Sequence, residues 1–207
     1  MTISVEIVSS GFSNVGSVVS AFSTVRNVRV RVIGNARESE NPNLMVLPGN
    51  GSFGSTSSKL VESELWELIL RRHESFQPIL GICLGMQLLG DSSEEARTGR
   101  GLGIIPGSSK RLNKSLVTPH IGWEQVEWQR QLTGETLPGG DYFFMHSYEF
   151  VPNNENAILA TSEVGHGTVV SAVMSNSTIG VQFHPEKSSL IGMELLERVC
   201  GWANEQN

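Results

Sequence analysis

Cys83 stands in the run Pro78-Ile79-Leu80-Gly81-Ile82-Cys83-Leu84-Gly85-Met86-Gln87, and far along the chain comes Val181-Gln182-Phe183-His184-Pro185-Glu186. A thiol, an imidazole and a carboxylate are the parts of a nucleophile, its base and the acid that orients the base. The first run reads as a short apolar strand that stops at Gly-x-Cys-x-Gly and passes into the helical pattern Leu84, Met86, Leu88, Leu89. That is the grammar of a nucleophile elbow, with sulfur in place of oxygen. The flanking glycines let the backbone turn with no side chain in the way, and a helix N-terminus after the cysteine favours the thiolate and supplies N–H donors. A free cysteine between Ile and Leu is ordinarily a small buried hydrophobe; the glycines and the late His-Pro-Glu set this one apart. His184 and Glu186 lie two apart at the end of the run Thr178–Phe183, and in extended chain such residues point to the same side. A carboxylate there fixes the tautomer of the imidazole and supports the imidazolium.

The elements that must carry these groups follow from hydrophobic spacing. Ile3–Val8 alternates and gives way, after a Ser/Gly/Asn loop, to Val15, Val18, Val19 and Phe22 at helical spacing, which predicts strand, loop, helix. Val28–Ile33 is β-branched and Leu44–Leu47 is a short apolar run ending in Pro48-Gly49-Asn50-Gly51; both read as strands. From Ser57 onward Val61, Leu65, Trp66, Leu68 and Ile69 describe an amphipathic helix of about four turns. Strands alternating with helices predict a parallel sheet covered on both faces. Beyond Cys83 the character changes: Gly101–Ile105, Leu112–Val117, Ile121–Trp128, Tyr142–Val151, Ala157–Thr161, Val169–Met174 and Ile179–Phe183 are strand-like segments split by Gly, Pro and Asn. They predict antiparallel additions to the sheet. Ile191, Leu195, Val199 and Trp202 mark a closing helix. The expected fold class is therefore α/β: a single-domain open sheet over residues 1–207, with a mostly parallel core, helices on both faces and antiparallel additions. In such sheets ligands gather at the carboxyl ends of strands where the strand order reverses. The Pro48–Gly51 loop beside Cys83 could turn a backbone N–H inward to form, with the N–H of Leu84, an oxyanion hole.

The 207 residues are 39% hydrophobic with a net charge of −6, and the sequence pI is 5.4. This acidic balance argues against a nucleic-acid backbone binder, which carries a basic face. No apolar run is long enough to span a bilayer and the first residues lack a signal-peptide pattern, so no membrane role and a cytoplasmic location are expected. Two cysteines, Cys83 and Cys200, make no disulfide framework; Cys200 reads as a packing residue. No Cys/His cluster has ligand spacing, so no metal is expected, and Gly99-Arg100-Gly101-Leu102-Gly103 lacks the Lys and helix of a phosphate loop.

With its motifs in this order, the chain resembles the class I, triad-type glutamine amidotransferases. The general resemblance rests on Gly81–Gln87 with His184-Pro185-Glu186. A narrower one, to the glutaminase subunits of imidazole-glycerol-phosphate synthases, rests on Leu47–Gly54, Ser92-Ser93-Glu94-Glu95, Pro119-His120-Ile121-Gly122-Trp123, His146-Ser147-Tyr148 and Phe183–Ser188. The resemblance implies a flavodoxin-like sheet and no cofactor. It implies that Cys83 attacks the carboxamide of L-glutamine, with His184 and Glu186 completing the triad, and that Leu84 and Asn50 or Gly51 hold the oxyanion. Gln87, Glu95, His146, Ser147 and Tyr148 match positions that hold the glutamine, Glu95 suiting the α-ammonium; His146 reads equally as a satisfied core histidine. The implied partner is a barrel cyclase subunit that consumes the ammonia in histidine biosynthesis, in a heterodimer. Asn14, His120, Trp123 and Lys187 are implied to face it, with Lys187 an ion-pair partner near the ammonia passage; its bland alternative is a solvated charge capping the closing helix.

Some residues depart from the pattern. The first loop, Ser9-Ser10-Gly11-Phe12-Ser13-Asn14, keeps only Gly11 and Asn14; Asn50 replaces a small apolar residue; Glu124 follows Trp123 where Asn is common. Two alternatives stay open: the same glutaminase serving another ammonia-dependent synthase, and a non-catalytic amidotransferase-like regulatory subunit.

Overall fold

The computed structural model describes residues 2–9, 15–49, 51–96, 99–112, 118–132, 136–165 and 167–206. In chain order the elements are β1 (Ile3–Val8), α1 (Gly16–Thr24), β2 (Val28–Ile33), β3 (Leu44–Leu47), α2 (Phe53–Glu62), α3 (Leu65–Glu74), β4 (Ile79–Ile82), α4 (Leu84–Leu88), β5 (Ser92–Ser93), β6 (Gly107–Arg111), β7 (His120–Trp128), β8 (Gly140–His146), β9 (Tyr148–Pro152), β10 (Ile158–Val164), β11 (Gly167–Ser175), β12 (Thr178–Val181) and α5 (Ser189–Glu205). A large sheet runs β2-β1-β3-β4-β12-β11-β10-β7-β8, and a small one β5-β6-β9. The pairs from β2 to β12 are parallel; those from β12 to β8 are antiparallel. The α/β class and its antiparallel extension are as the hydrophobic pattern predicts.

The parallel core is apolar on both faces because both are covered. Along β3, Leu44 and Val46 enter one core and Met45 and Leu47 the other, the period-2 alternation of a strand. The first core packs under α1 and α5, through Phe22, Leu195, Val199 and Trp202. The second packs under α2, α3 and α4, through Phe53, Leu60, Trp66, Ile69 and Met86. Each fully buried Leu, Val or Phe here contributes roughly 1.5–3 kcal/mol. The strand order reverses between β1 and β3, whereas Cys83 follows β4, between β3 and β12. The site thus lies one strand beyond the reversal.

Three local expectations are corrected, and a fourth falls on residues outside those described. The helix expected from Ser57 begins at Phe53 and is two helices, α2 and α3, parted at Ser63-Glu64, where Glu64 takes a left-handed φ of 61°. The continuous spacing of Val61, Leu65 and Ile69 conceals this break: Val61 is exposed, and it is Leu60 of α2 that shares a core with Leu65 and Ile69 of α3. Gly101–Ile105 is not a strand but a strap, its amides bonded to the carbonyls of Leu88, Leu89, Gly90 and Asp91. The strand expected at Leu112–Val117 lies, apart from Leu112, outside the described residues; a strand that the spacing did not predict runs over Gly107–Arg111. Tyr142–Val151 breaks at Ser147, where the chain leaves the large sheet as β8 and joins the small one as β9. Ser10–Asn14, with Gly11, and Asn50 also lie outside the described residues.

Candidate active site

The carboxyl ends of three adjacent strands supply the chemistry: β3 leads to Pro48-Gly49, β4 to Cys83 and β12 to Gln182-Phe183-His184. Cys83 sits at φ 50°, ψ −106° between β4 and α4, outside the comfortable regions for an L-residue, so the strain of the elbow falls on the cysteine itself. The glycines around it serve close approach. A Cβ on Gly85 would lie 2.0 Å from the Leu47 carbonyl oxygen, and one on Gly49 2.6 Å from the Cβ of Cys83. The helix expected to activate the thiol is short: α4 spans five residues, so its field is small beside that of a full helix.

His184 Nδ1 lies 2.8 Å from Glu186 Oε1, and both side chains are 1% exposed. They meet across the turn Pro185–Lys187, not along an extended strand as the two-residue spacing suggests. The strand β12 ends at Val181. Three hydrogen bonds fix this histidine: its amide donates to Phe143 O, and the hydroxyl of Ser188 donates to His184 O at 2.7 Å while accepting the Phe143 amide at 3.0 Å. Burial alone would lower the pKa of His184, but the neighbouring Cys83 and Glu186 raise it, to about 9. Among the described residues its Nε2 has no partner that meets hydrogen-bond geometry, nor has Glu186 Oε2. Nε2 is thus an open position beside the thiol, electrostatically coupled to it.

A cleft of about 270 Å³ opens on Cys83, lined by Gly49, Gly51, Leu84, Gln87, Glu95, Met145, His146, Ser147 and Tyr148 among others. Its size suits one small ligand, below the range of drug-sized sites. A larger cleft of about 470 Å³ lies at Leu137, Glu194, Arg198 and Trp202 and is lined by no cysteine or histidine. The structure therefore brings the three residues expected to form the triad together and gathers Leu84, Gly51 and the five residues expected to hold glutamine around the thiol.

Several of these side chains already have protein partners. Gln87 Nε2 donates to Tyr148 O at 2.9 Å and to Gln182 Oε1 at 3.1 Å. Glu95 Oε2 accepts the amide of Phe53 at 2.8 Å. That carboxylate thus does the capping work at α2 that the Ser52 side chain does not. His146 has both ring nitrogens occupied: Nδ1 by Tyr148 O at 3.0 Å and Nε2 by His120 Nδ1 at 3.1 Å. Burial pushes its pKa down to about 4, against the bond to Tyr148 O and with help from His120 and His184. Since His146 donates from Nδ1, its Nε2 accepts from His120 Nδ1–H. The other ring nitrogen of His120, Nε2, lies 2.9 Å from Glu124 Oε1.

Of the residues expected to face a partner, Trp123 is 49% exposed, beside Ile121 at 58%, and packs on Phe143. Lys187 is exposed and stands 5.9 Å above the Phe143 ring. His120 is buried and, with Glu124, lies on the face of β7 opposite Ile121 and Trp123; Asn14 lies outside the described residues. Sequence reasoning assigned no role to Gln182, Met145 or Ser188. Two of them sat in quoted motifs, but which neighbour each would touch depends on the strand order. Among the described residues no cluster of His, Cys, Asp or Glu is arranged to hold a metal, and no helix is long and apolar enough to cross a membrane.

A model of the glutamine amidotransferase class-I family matches residues 6–199, and the chain belongs to that family. Within it the chain is similar to proteins named imidazole glycerol phosphate synthase subunit HisH. That of Aquifex aeolicus (strain VF5) is 38% identical over 195 residues, covering 92% of this chain and 93% of that protein. That of Bacillus subtilis (strain 168) is 37% identical over 209 residues, 97% of each. Among solved structures, PurLQS from Thermotoga maritima superposes with a TM-score of 0.77 at 18% identity over 99% of both chains, a likeness of fold.

Proposed function

We propose that this chain hydrolyses L-glutamine at Cys83 and passes the ammonia to a barrel cyclase subunit that makes imidazole glycerol phosphate in histidine biosynthesis, in the reducing cytoplasm. The observation that carries the reading is the buried His184–Glu186 pair, 2.8 Å apart, with Nε2 open beside the strained thiol; the names of the relatives support the pathway. His184 Nε2 takes the Cys83 proton as sulfur attacks the carboxamide carbon. Amides of Leu84 and of the Asn50-Gly51 segment hold the oxyanion. His184 returns the proton to nitrogen, the C–N bond breaks, and ammonia leaves a glutamyl thioester. Water, deprotonated by the same imidazole, attacks; the C–S bond breaks, releasing glutamate and restoring the thiol. Glu95 and the oxygen of Gln87 are the acceptors available for the α-ammonium. The cyclase docks on the face carrying Trp123 and Lys187, with Asn14, while His120 backs it from within.

Mixing this chain with the candidate cyclase tests the division of labour. Cys83→Ala is expected to abolish glutamine-dependent synthesis and leave synthesis from added ammonium salts intact. Loss of both activities, or retention of the first, would refute the reading. A non-catalytic subunit would show no Cys83-dependent glutamine hydrolysis with the partner bound, and a different synthase would show itself by the chain that co-purifies.

A further inference from the structure

We infer that Gln182 is a further residue of the catalytic site, a hydrogen-bond donor that holds the Cys83 sulfur as thiolate, and that Gln87 serves chiefly to aim it. The inference rests on Cys83 being the nucleophile. Gln182 is completely buried, just beyond β12, with its backbone amide fixed on Ser171 O at 2.8 Å. Its Nε2 lies 3.5 Å from Cys83 Sγ, and its Oε1 accepts from Gln87 Nε2.

The direction of this chain of amides is dictated from its far end. Tyr148 O is a carbonyl and can only accept, so the group of Gln87 that faces it at 2.9 Å must be the NH2. The second proton of that NH2 goes to Gln182, which must then present oxygen to Gln87 and nitrogen to sulfur. Turning either amide over would set acceptor against acceptor at Tyr148 or donor against donor at Gln182, both buried and costly. The sulfur therefore has two kinds of neighbour. Met145 O, at 3.8 Å, suits the thiol, which can donate to it; the Gln182 N–H suits only a lone pair and suits an anion best. As the proton moves from Sγ to His184 Nε2, Sγ loses its donor role toward Met145 O and keeps the Gln182 bond, now charge-assisted. With α4 only five residues long, this side chain does part of the work expected of a helix N-terminus. Both Gln87 protons are spent within the protein, so toward the cleft it offers only its oxygen.

The test is the pH profile of Cys83 alkylation by iodoacetamide, read by mass spectrometry in the whole chain. Cys200 is an internal control, since burial pushes its thiol up to about 12. The groups around the sulfur that titrate, His184 with Glu186 behind it and His146 across the cleft, are unchanged in the variants. Gln182→Leu, nearly equal in volume, is expected to slow alkylation at neutral pH about tenfold and to move the midpoint up by about one pH unit, the scale of a hydrogen bond to a charged group. Gln182→Glu, which sets an acceptor against sulfur, should shift it further the same way. Unmoved profiles in either folded variant overturn the inference. If neither folds, the wild-type Gln182 side-chain amide 15N resonance decides: it should titrate together with Cys83 alkylation, and a pH-independent resonance overturns the inference. A shifted profile in a protein that does not hydrolyse glutamine would uphold this role while the proposed function fails. Cys83-dependent hydrolysis with an unshifted profile would do the reverse.

Discussion

At the scale of single residues, Cys83 carries two burdens that other positions do not share. Its left-handed φ of 50° costs about 1–3 kcal/mol for a side chain with a Cβ, and that geometry turns Sγ between His184 on one side and Gln182 on the other. Glycine would relieve the strain and lose the chemistry. Cys83→Gly should therefore resist urea better than Cys83→Ala by about 1 kcal/mol, after allowing for the looser unfolded chain of the glycine variant. A glycine variant no more stable than the alanine variant after that allowance would show that the backbone here is relaxed. The comparison with Ala matters because both variants lack the thiol, so the difference, once the unfolded-chain effect is allowed for, reports backbone strain.

Elements set which residues meet, and Ser188 shows how. One hydroxyl ties the carbonyl of His184 to the amide of Phe143 in β8, holding the base against the antiparallel half of the sheet. Ser188→Ala strands a buried amide, at a cost of about 1–3 kcal/mol in denaturant, and should lower kcat for glutamine hydrolysis with little change in KM. Activity and stability both unchanged would remove this bond from the account. Much of the parallel half was legible beforehand, because local patterns report local elements. Leu44–Leu47 and Ile79–Ile82 each read as a buried strand with a glycine loop or elbow at its end. The chemical motifs were legible for the same reason, each being a few adjacent residues. What stayed hidden is pairing across distance. Gln182, Ser188 and Met145 were visible as letters, yet their partners are 99, 45 and 62 positions away. The Gly101–Ile105 strap has the composition of a strand and earns its hydrogen bonds from a neighbouring loop instead. The break at Glu64 leaves no mark in the hydrophobic spacing, since a left-handed residue changes direction without changing which side chains are apolar.

For the whole molecule, two buried histidines of one site oppose each other in pH. His146 titrates at about 4 in the folded chain against about 6.5 unfolded, so its contribution is complete above pH 6.5 and is lost as pH falls toward 4. His184 titrates at about 9 when folded; its contribution is complete below about 6.5 and is lost as pH rises toward 9. Each limb has a slope of at most about 1.4 kcal/mol per pH unit, and together they place the maximum near 6.5. Thermal melts from pH 4 to 9 should show it, and Glu186→Gln should flatten the alkaline side; an alkaline limb unchanged in that variant would detach it from the triad. The two sheets, finally, are joined at Ser147 by a single residue, with Met145 and His146 before it and Tyr148 after it. Loops elsewhere absorb added length cheaply. Here one inserted residue would turn the pleat of β9 over relative to β8, swinging the Tyr148 carbonyl away from both Gln87 and His146. Substitution at this seam is a local matter, whereas insertion or deletion would dismantle the wall of the cleft, so chain length at Ser147 is held as tightly as any catalytic side chain.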